Sequence, residues 1–550
     1  MTDTLIPRTP SAYDYPLLIK NLFRNPVVDN PDQEIIYRGV VRHTYRDVRQ
    51  RVRRLANVLT GLGVKAGDTV AVMDWDSHRY LELFFAVPMI GAVLHTINVR
   101  LSPEQILYTI DHAEDDLLLV NGEFLPILEQ IRGRIGTVRG YVLLTDEEMM
   151  PESHIPFVGE YEALLAEAAT DYEFPDFDEN SRATTFYTTG TTGLPKGVYF
   201  SHRQLVLHTL GVMASLGTAS AHGRLHQGDV YMPITPMFHV HAWGMPYLAT
   251  MLGIKQVYPG RYSPDLLLEL IEKERVTFTH CVPTILHMLL RHPHAKRVDL
   301  AGLKMIIGGA AMSRALCCEA LERGIDVFTG YGMSETCPIL TISRLTPEML
   351  AREPAQQAEI RCLTGLSLPF VDLRVVDPES GAEQPRDGRS AGEIVVRAPW
   401  LTQGYLKDHR TSEKLWEGGF LHTGDVAVRD ERGYVRITDR TKDVIKVAGE
   451  WVSSLELEDI LAHHPAVAEV AVIGQLDEKW GERPLALVVL KPEEAGRVVE
   501  KDLAHFVREY ADKGMVSKQV VLLKVRLVDA IDKTSVGKIS KVTLREKYLA

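Results

Sequence analysis

From about Tyr45 onward the chain alternates between two hydrophobic periods, and that alternation limits what it can become. Val52, Leu55, Ala56 and Leu59 fall at helical spacing, Gly61 and Gly63 close that segment, and Thr69-Val70-Ala71-Val72-Met73 follows as a buried strand. A helix through residues 81–85 leads to the strand Ala92-Val93-Leu94. Ser102-Pro103-Glu104-Gln105 then caps a further helix, and Leu117-Leu118-Leu119-Val120 closes the unit. This order predicts an α/β fold of mainly parallel sheets flanked by helices. Further on, Val276-Thr277-Phe278-Thr279, Lys304-Met305-Ile306-Ile307 and Ile325-Asp326-Val327-Phe328 each run into a loop of small residues. In such folds ligands bind beyond the carboxyl ends of the strands.

Elsewhere the pattern changes. Residues 145–182 are acidic and contain Pro151, Pro156 and Pro175, which predicts a surface connection. Around Val371 to Ala398, short strands broken by Asp377-Pro378, Gly381 and Asp387-Gly388 predict an antiparallel β subdomain. Past Asp439-Arg440-Thr441-Lys442-Asp443, Ser453-Ser454-Leu455-Glu456 opens a helix, and two strands and another helix make a compact α+β unit. The expected organisation is a large N-terminal domain over 1–439, a hinge over 440–445 and a small mobile C-terminal domain over 446–550.

A net charge of −12 argues against a general nucleic-acid binder while leaving room for a local basic site. Five cysteines, Cys281, Cys317, Cys318, Cys337 and Cys362, form no CxxC pair and no evident disulfide framework, so a reducing cytoplasm is expected. The longest apolar run, residues 84–94, is too short to span a bilayer, and the N-terminus lacks a basic region followed by an apolar one. Any membrane contact would be peripheral.

The stretch that carries chemistry is Tyr187-Thr188-Thr189-Gly190-Thr191-Thr192-Gly193-Leu194-Pro195-Lys196-Gly197. Its backbone N–H groups, threonine hydroxyls and lysine suit a polyphosphate; read alone it is also a Gly/Thr turn. It fails the Walker A spacing, since Pro195 stands where the second glycine belongs and Gly197 follows Lys196. The whole string resembles the signature loop of the adenylate-forming superfamily, which includes acyl-CoA synthetases. The likeness extends from about residue 30 to the end.

That resemblance assigns Thr188 to Gly193 and Lys196 to the phosphates of ATP, with Gly309, Ala310, Gly330, Tyr331 and Thr336 completing the nucleotide site. Tyr331 offers a face for the purine, and Glu335, with Thr188, is implied as a Mg²⁺ ligand. Asp425 in Thr423-Gly424-Asp425 and Arg440 would hold the ribose, Lys442 would be the hinge, and Lys446 would assist at the phosphates. Lys538, in Asp532-Lys533-Thr534-Ser535-Val536-Gly537-Lys538, is implied as the catalytic lysine, although Asp532 stands where the family usually has proline. In Met237-Phe238-His239-Val240-His241-Ala242-Trp243, the likeness to fatty acyl-CoA synthetases puts His239 beside the carboxylate and makes Trp243 the gate of an acyl tunnel. His239-x-His241 lacks the further ligands of a metal site. Gly449 and Trp451 would line the path of the thiol.

The implied reaction joins a medium- or long-chain fatty acid to coenzyme A through an acyl-adenylate, releasing AMP and pyrophosphate. Ligases of short substituted propionates or aromatic acids, an acyl-AMP ligase serving a carrier protein, and a nucleotide or acyl sensor are the alternatives. A homodimer is also expected from the resemblance.

Overall fold

The computed structural model describes residues 6–147, 151–188, 194–440, 443–447, 450–477, 479–494, 496–513, 516, 518–533 and 539–549. Two large sheets form the body of the molecule. The first has seven strands in the order Phe157–Glu160, Gly140–Leu144, Asp115–Asn121, Thr69–Met73, Val93–Thr96, Arg182–Tyr187 and Gly197–Ser201. All neighbours are parallel except the last pair. The second has nine strands, parallel from Asp326–Gly332 to Glu34–Tyr37 and antiparallel at both ends. The expected α/β class is therefore met by two parallel sheets packed with helices.

Local chemistry sets the helix starts. Thr44, Ser102 and Ser201 each accept a hydrogen bond from the backbone three residues on, while Asp47, Gln105 and Gln204 reach back, three complete capping boxes. Each cap stabilises its helix by about 1 kcal/mol. The helix Tyr45–Gly61 buries Val52, Leu55, Ala56 and Leu59, the residues its spacing singles out. The apolar run 84–94 lies largely in His78–Met89, a helix buried along its whole length. Among the described residues no helix is long and apolar enough to cross a membrane. All five cysteines are free thiols, with Cys281, Cys317 and Cys337 buried.

Some boundaries differ from expectation. The strand expected at Ala92 begins at Val93 because the Ala92 N–H donates to Val87 O (3.2 Å) and completes the preceding turn. Val276 likewise closes the helix before it by donating to Ile271 O (3.0 Å), so that strand starts at Phe278. The acidic stretch 145–182 holds more order than a surface connection, with the strand Phe157–Glu160 and the helix Tyr161–Glu167. Its partners are remote: the buried Tyr161 hydroxyl donates to Glu82 (2.5 Å), and Glu162 pairs with Arg51 (2.7 Å) and Arg79 (3.1 Å).

The strands Asp372–Val376, Gly392–Arg397, Leu421–Arg429 and Val435–Arg440 form the antiparallel subdomain. After Arg440 the chain enters a further sheet, Glu450–Val452, Ile445–Val447, Gly481–Leu490 and Val467–Asp477, with Lys524–Leu527 added in parallel. Polar contacts tie the two parts. The Ser454 N–H donates to Asp439 (2.8 Å) and the Ser453 hydroxyl to Thr438 O, while Arg545 reaches Asp443 (2.7 Å), just past Arg440; within the second part Lys541 pairs with Glu458 (2.9 Å).

Candidate active site

The glycine- and threonine-rich stretch joins the antiparallel strands Arg182–Tyr187 and Gly197–Ser201, the second of them at the sheet edge. Its neck is closed by the Thr188 N–H donating to Lys196 O (2.9 Å). Gly197 is closely packed there, since a Cβ would stand 3.1 Å from Leu406 and 3.2 Å from the Tyr187 ring. Thr189, Gly190, Thr191, Thr192 and Gly193 lie outside the described residues. Lys196 is exposed, and its ammonium sits 4.8 Å from the centre of the Tyr405 ring.

The strand Asp326–Gly332 delivers Gly330 and Tyr331. Gly332 admits no side chain: a Cβ would fall 1.7 Å from Pro338 O. The Tyr331 hydroxyl donates to Asp425 (2.7 Å), and Asp425 also pairs with Arg440 Nε (3.2 Å), its cross-strand neighbour. The expected purine platform and the expected ribose pair thus form one hydrogen-bonded group. Burial pushes the Tyr331 phenol up, and the Asp425 carboxylate beside it adds to the rise.

Glu335 follows in the short turn Ser334–Thr336, 7% exposed, and accepts a hydrogen bond from the Tyr405 hydroxyl (2.6 Å). Burial raises its carboxyl above the usual range, while the Tyr405 hydroxyl and the charges of Arg440 and Lys196 oppose the rise. A buried carboxylate with one oxygen held and its charge under-compensated suits a hard divalent cation. Thr336 is fully buried behind it.

His239 and Trp243 bracket an unusual turn. Val240, His241, Ala242 and Trp243 all have positive φ (44°, 59°, 48° and 59°), a single left-handed turn ending at Gly244. It parts the two histidines. His239 lines two adjoining cavities, whereas His241 is buried against the rings of Phe84, Phe186 and Phe200, which pushes its imidazole down to about 3. The larger cavity, about 210 Å³, runs past Ile234, Tyr262, Val282 and Met288 to Arg100. The smaller, about 40 Å³, reaches Gly330, Tyr331 and Ile339. His239, Trp243 and Gly309 form the wall between them. The Trp243 ring lies against His280 (5.0 Å) and so close to Gly308 that a Cβ there would stand 2.9 Å from it. Ala310 is exposed just beyond, and Cys337 is fully buried.

Lys442, Gly449 and Lys538 lie outside the described residues. Lys446 and Trp451 are paired in register in the strands Ile445–Val447 and Glu450–Val452, and only their backbones are described. The stem of the Lys538 loop is closed by a bridge between Lys533 and Ile539 and by the Ser540 N–H donating to Asp532 O (2.9 Å). The charge of Asp532, the departure from the family's proline, is met by Lys547 (3.1 Å), and Lys533 pairs with Glu469 (2.8 Å). Sequence reasoning passed over Tyr405, which no spacing links to Glu335. It also passed over Asp76, which is buried and fixes the turn before His239 by accepting from the Met237 N–H (2.7 Å).

The chain belongs to the AMP-binding enzyme family, matching its main model over residues 23–406 and the model of the AMP-binding enzyme C-terminal domain over residues 456–538. Among curated relatives, a long-chain-fatty-acid–CoA ligase of Thermus thermophilus is 42% identical over 512 residues, 92% of this chain and 91% of that protein. A 3-methylmercaptopropionyl-CoA ligase of Ruegeria pomeroyi is 38% identical over 93% of this chain and 92% of its own length. Among solved structures, ATP-bound MatB from Rhodopseudomonas palustris superposes with a TM-score of 0.81 at 26% identity, covering 96% of this chain and 98% of that one.

Proposed function

We propose that this protein is an ATP-dependent fatty acid–CoA ligase that forms an acyl-adenylate and then transfers the acyl group to coenzyme A. The observation that carries this reading is the meeting of three features at one place. The phosphate-loop lysine lies beside Tyr405, the Tyr331–Asp425–Arg440 group suits a nucleoside, and a mostly apolar cavity ends at His239. The acid's carboxylate lies by His239, and its chain takes the space that Trp243 divides. At about 210 Å³ the larger cavity is below the roughly 300–1,000 Å³ of typical ligand sites, which favours a medium-length chain unless Trp243 moves.

Glu335, with Thr188, would hold Mg²⁺, which when bound neutralises charge on the triphosphate. Asp425 accepts from the ribose hydroxyls and Arg440 supports it. Gly309, Gly330 and Tyr331 enclose the adenine side, with Ala310 and Thr336 beside them. Lys196 and the loop from Thr188 to Gly193 hold the outer phosphates, and Lys446 assists. Lys538 neutralises the approach of carboxylate to α-phosphate. Lys442 serves as the hinge between a domain ending near residue 439 and one beginning near residue 446. Gly449 and Trp451 admit the thiol. Five free cysteines favour a reducing cytoplasm, and a homodimer is the proposed assembly.

The test is pyrophosphate release and acyl-CoA formation over saturated acids from butyrate to palmitate, with Lys538→Ala alongside. Lys538→Ala is expected to lower adenylation by at least about 100-fold, as for loss of an electrostatic contact to developing charge, while sparing thioester formation from supplied acyl-AMP. If short thioether-bearing or aromatic acids alone release pyrophosphate, the fatty acid assignment falls. If no acid does, the ligase reading falls with it.

A further inference from the structure

The segment 402–407 crosses from the subdomain side of the site to the exit of the phosphate loop and is held at several points. The Thr402 N–H donates to Glu335 O (2.9 Å), and the Thr402 hydroxyl donates to Tyr199 O (2.9 Å). The Leu406 N–H donates to Gly197 O (2.8 Å), and Tyr405 bridges to Val198. Lys407 reaches His112 O (2.9 Å) and Glu114 (2.8 Å). Between these anchors stands Tyr405, with its own N–H donating to Ser412 Oγ (2.8 Å). Its backbone has little freedom, so its side chain is aimed in advance.

That side chain meets two charges of opposite sign by different means. The hydroxyl donates to Glu335 Oε1 at 2.6 Å, and the ring lies 4.8 Å from the Lys196 ammonium. A donated hydrogen bond favours the ionised carboxylate, which burial disfavours, and it leaves the second oxygen uncommitted by this contact. The ring quadrupole attracts the ammonium and narrows the range of a long side chain that otherwise keeps about 2 kcal/mol of rotamer entropy. Glu335 and Lys196 lie far apart in the chain, and Tyr405 touches both.

We infer that Tyr405 is a positioning residue for the nucleotide's phosphates, setting Glu335 through its hydroxyl and Lys196 through its ring. This rests on the ATP-dependent reading above. The two contacts are separable by substitution: Tyr405→Phe removes the hydroxyl and keeps the ring, and Tyr405→Leu removes both.

The experiment is calorimetric titration of the full-length wild type, Tyr405→Phe and Tyr405→Leu with ATP, once with Mg²⁺ and once with EDTA. Thermal melting checks that Tyr405→Phe unfolds within about 3 °C of wild type, the shift of roughly one lost kcal/mol. Tyr405→Phe is expected to bind ATP in EDTA within about twofold of wild type, but to lose about tenfold of the tightening that Mg²⁺ brings, the scale of one hydrogen bond to a charged group. Tyr405→Leu is expected to weaken ATP in EDTA as well, by roughly two- to fivefold, the scale of an exposed cation–π contact. Full Mg²⁺-dependent tightening in Tyr405→Phe, or none in wild type, overturns the role of the hydroxyl. Equal EDTA affinities for the two variants overturn the role of the ring. If the variants separate as expected while no acid releases pyrophosphate from wild type, the ligase reading fails and Tyr405 keeps its role. If wild type is an active ligase and both variants match it in every titration, only the Tyr405 inference fails.

Discussion

Replacing Asp425 by alanine tests the nucleotide side of the site most directly, because the structure sets the scale of each loss. The carboxylate is 5% exposed and engaged by the Tyr331 hydroxyl at 2.7 Å and by Arg440 Nε at 3.2 Å. In Asp425→Ala the Tyr331 hydroxyl loses this acceptor, a cost of about 1–3 kcal/mol. The Arg440 side chain is 52% exposed and can hydrate, so losing that pair costs no more than about 1 kcal/mol. The protein should therefore fold, with a melting temperature lower by several degrees. Binding suffers more. Two sugar hydroxyls donating to a carboxylate contribute about 1.5–3 kcal/mol each, so the KM for ATP should rise at least about 100-fold. Asp425→Asn keeps a neutral acceptor for Tyr331 and should fall between, near tenfold. The assay is pyrophosphate release against ATP concentration at saturating octanoate, with melting curves beside it. A folded Asp425→Ala whose KM for ATP changes less than about threefold would refute the assignment.

Three further outcomes are expected. Asp76 is buried, and burial pushes its carboxyl up from 3.8 to about 8 despite the Met237 N–H. The folded state then holds a proton that the unfolded state has released between about pH 4 and pH 8, so this group lowers stability as pH rises through that window. Asp76→Asn, which retains the acceptor, should melt at least about 3 °C above wild type at pH 8, with the gap closing toward pH 5; a constant gap would contradict this. Gly332→Ala, whose Cβ would stand 1.7 Å from Pro338 O, should cost more than about 4 kcal/mol and give little soluble protein. Trp243→Ala should join the two cavities and extend the accepted acid by two or three carbons, each added methylene gaining up to about fourfold in kcat/KM at about 0.8 kcal/mol. An unchanged chain-length profile would show that Trp243 does not limit the space.

Local signals marked much of the fold. The Ser102/Gln105 and Ser201/Gln204 boxes and the apolar run at Thr69–Met73 carry their own chemistry within a few residues. Where structure depends on remote partners, the local sequence carries no sign of it. Nothing near Tyr161 in the sequence points to Glu82, and so a strand and a helix went unseen in the acidic stretch. The site followed the same rule. Tyr331, Asp425 and Arg440 could be named from motifs, but their joining depends on the register between Leu421–Arg429 and Val435–Arg440 and on where the strand from Asp326 ends. Tyr405 sits on a connecting segment with no periodicity, and its meaning comes from what stands opposite. The two histidines near Trp243 differ in role only because a left-handed turn separates them, a conformation that no spacing of Val, His, Ala and Trp announces.

That turn has a consequence for how such a protein can change over generations. Four residues with side chains in the left-handed region cost roughly 1–2 kcal/mol each. The sum is comparable with much of the roughly 5–15 kcal/mol that separates a folded domain from its unfolded chain. The shape persists because Val240, His241, Ala242 and Trp243 are all buried, with His241 packed among aromatic rings. Thinning that core by a methylene here or there would relax the turn before it unfolded the molecule, and Trp243 would shift with it. Selection would then meet an altered range of accepted acids ahead of any loss of the fold. Lineages carrying this turn could drift in the acids they accept by mutating residues such as Phe186 or Phe200, which pack against His241 and line neither of the two cavities.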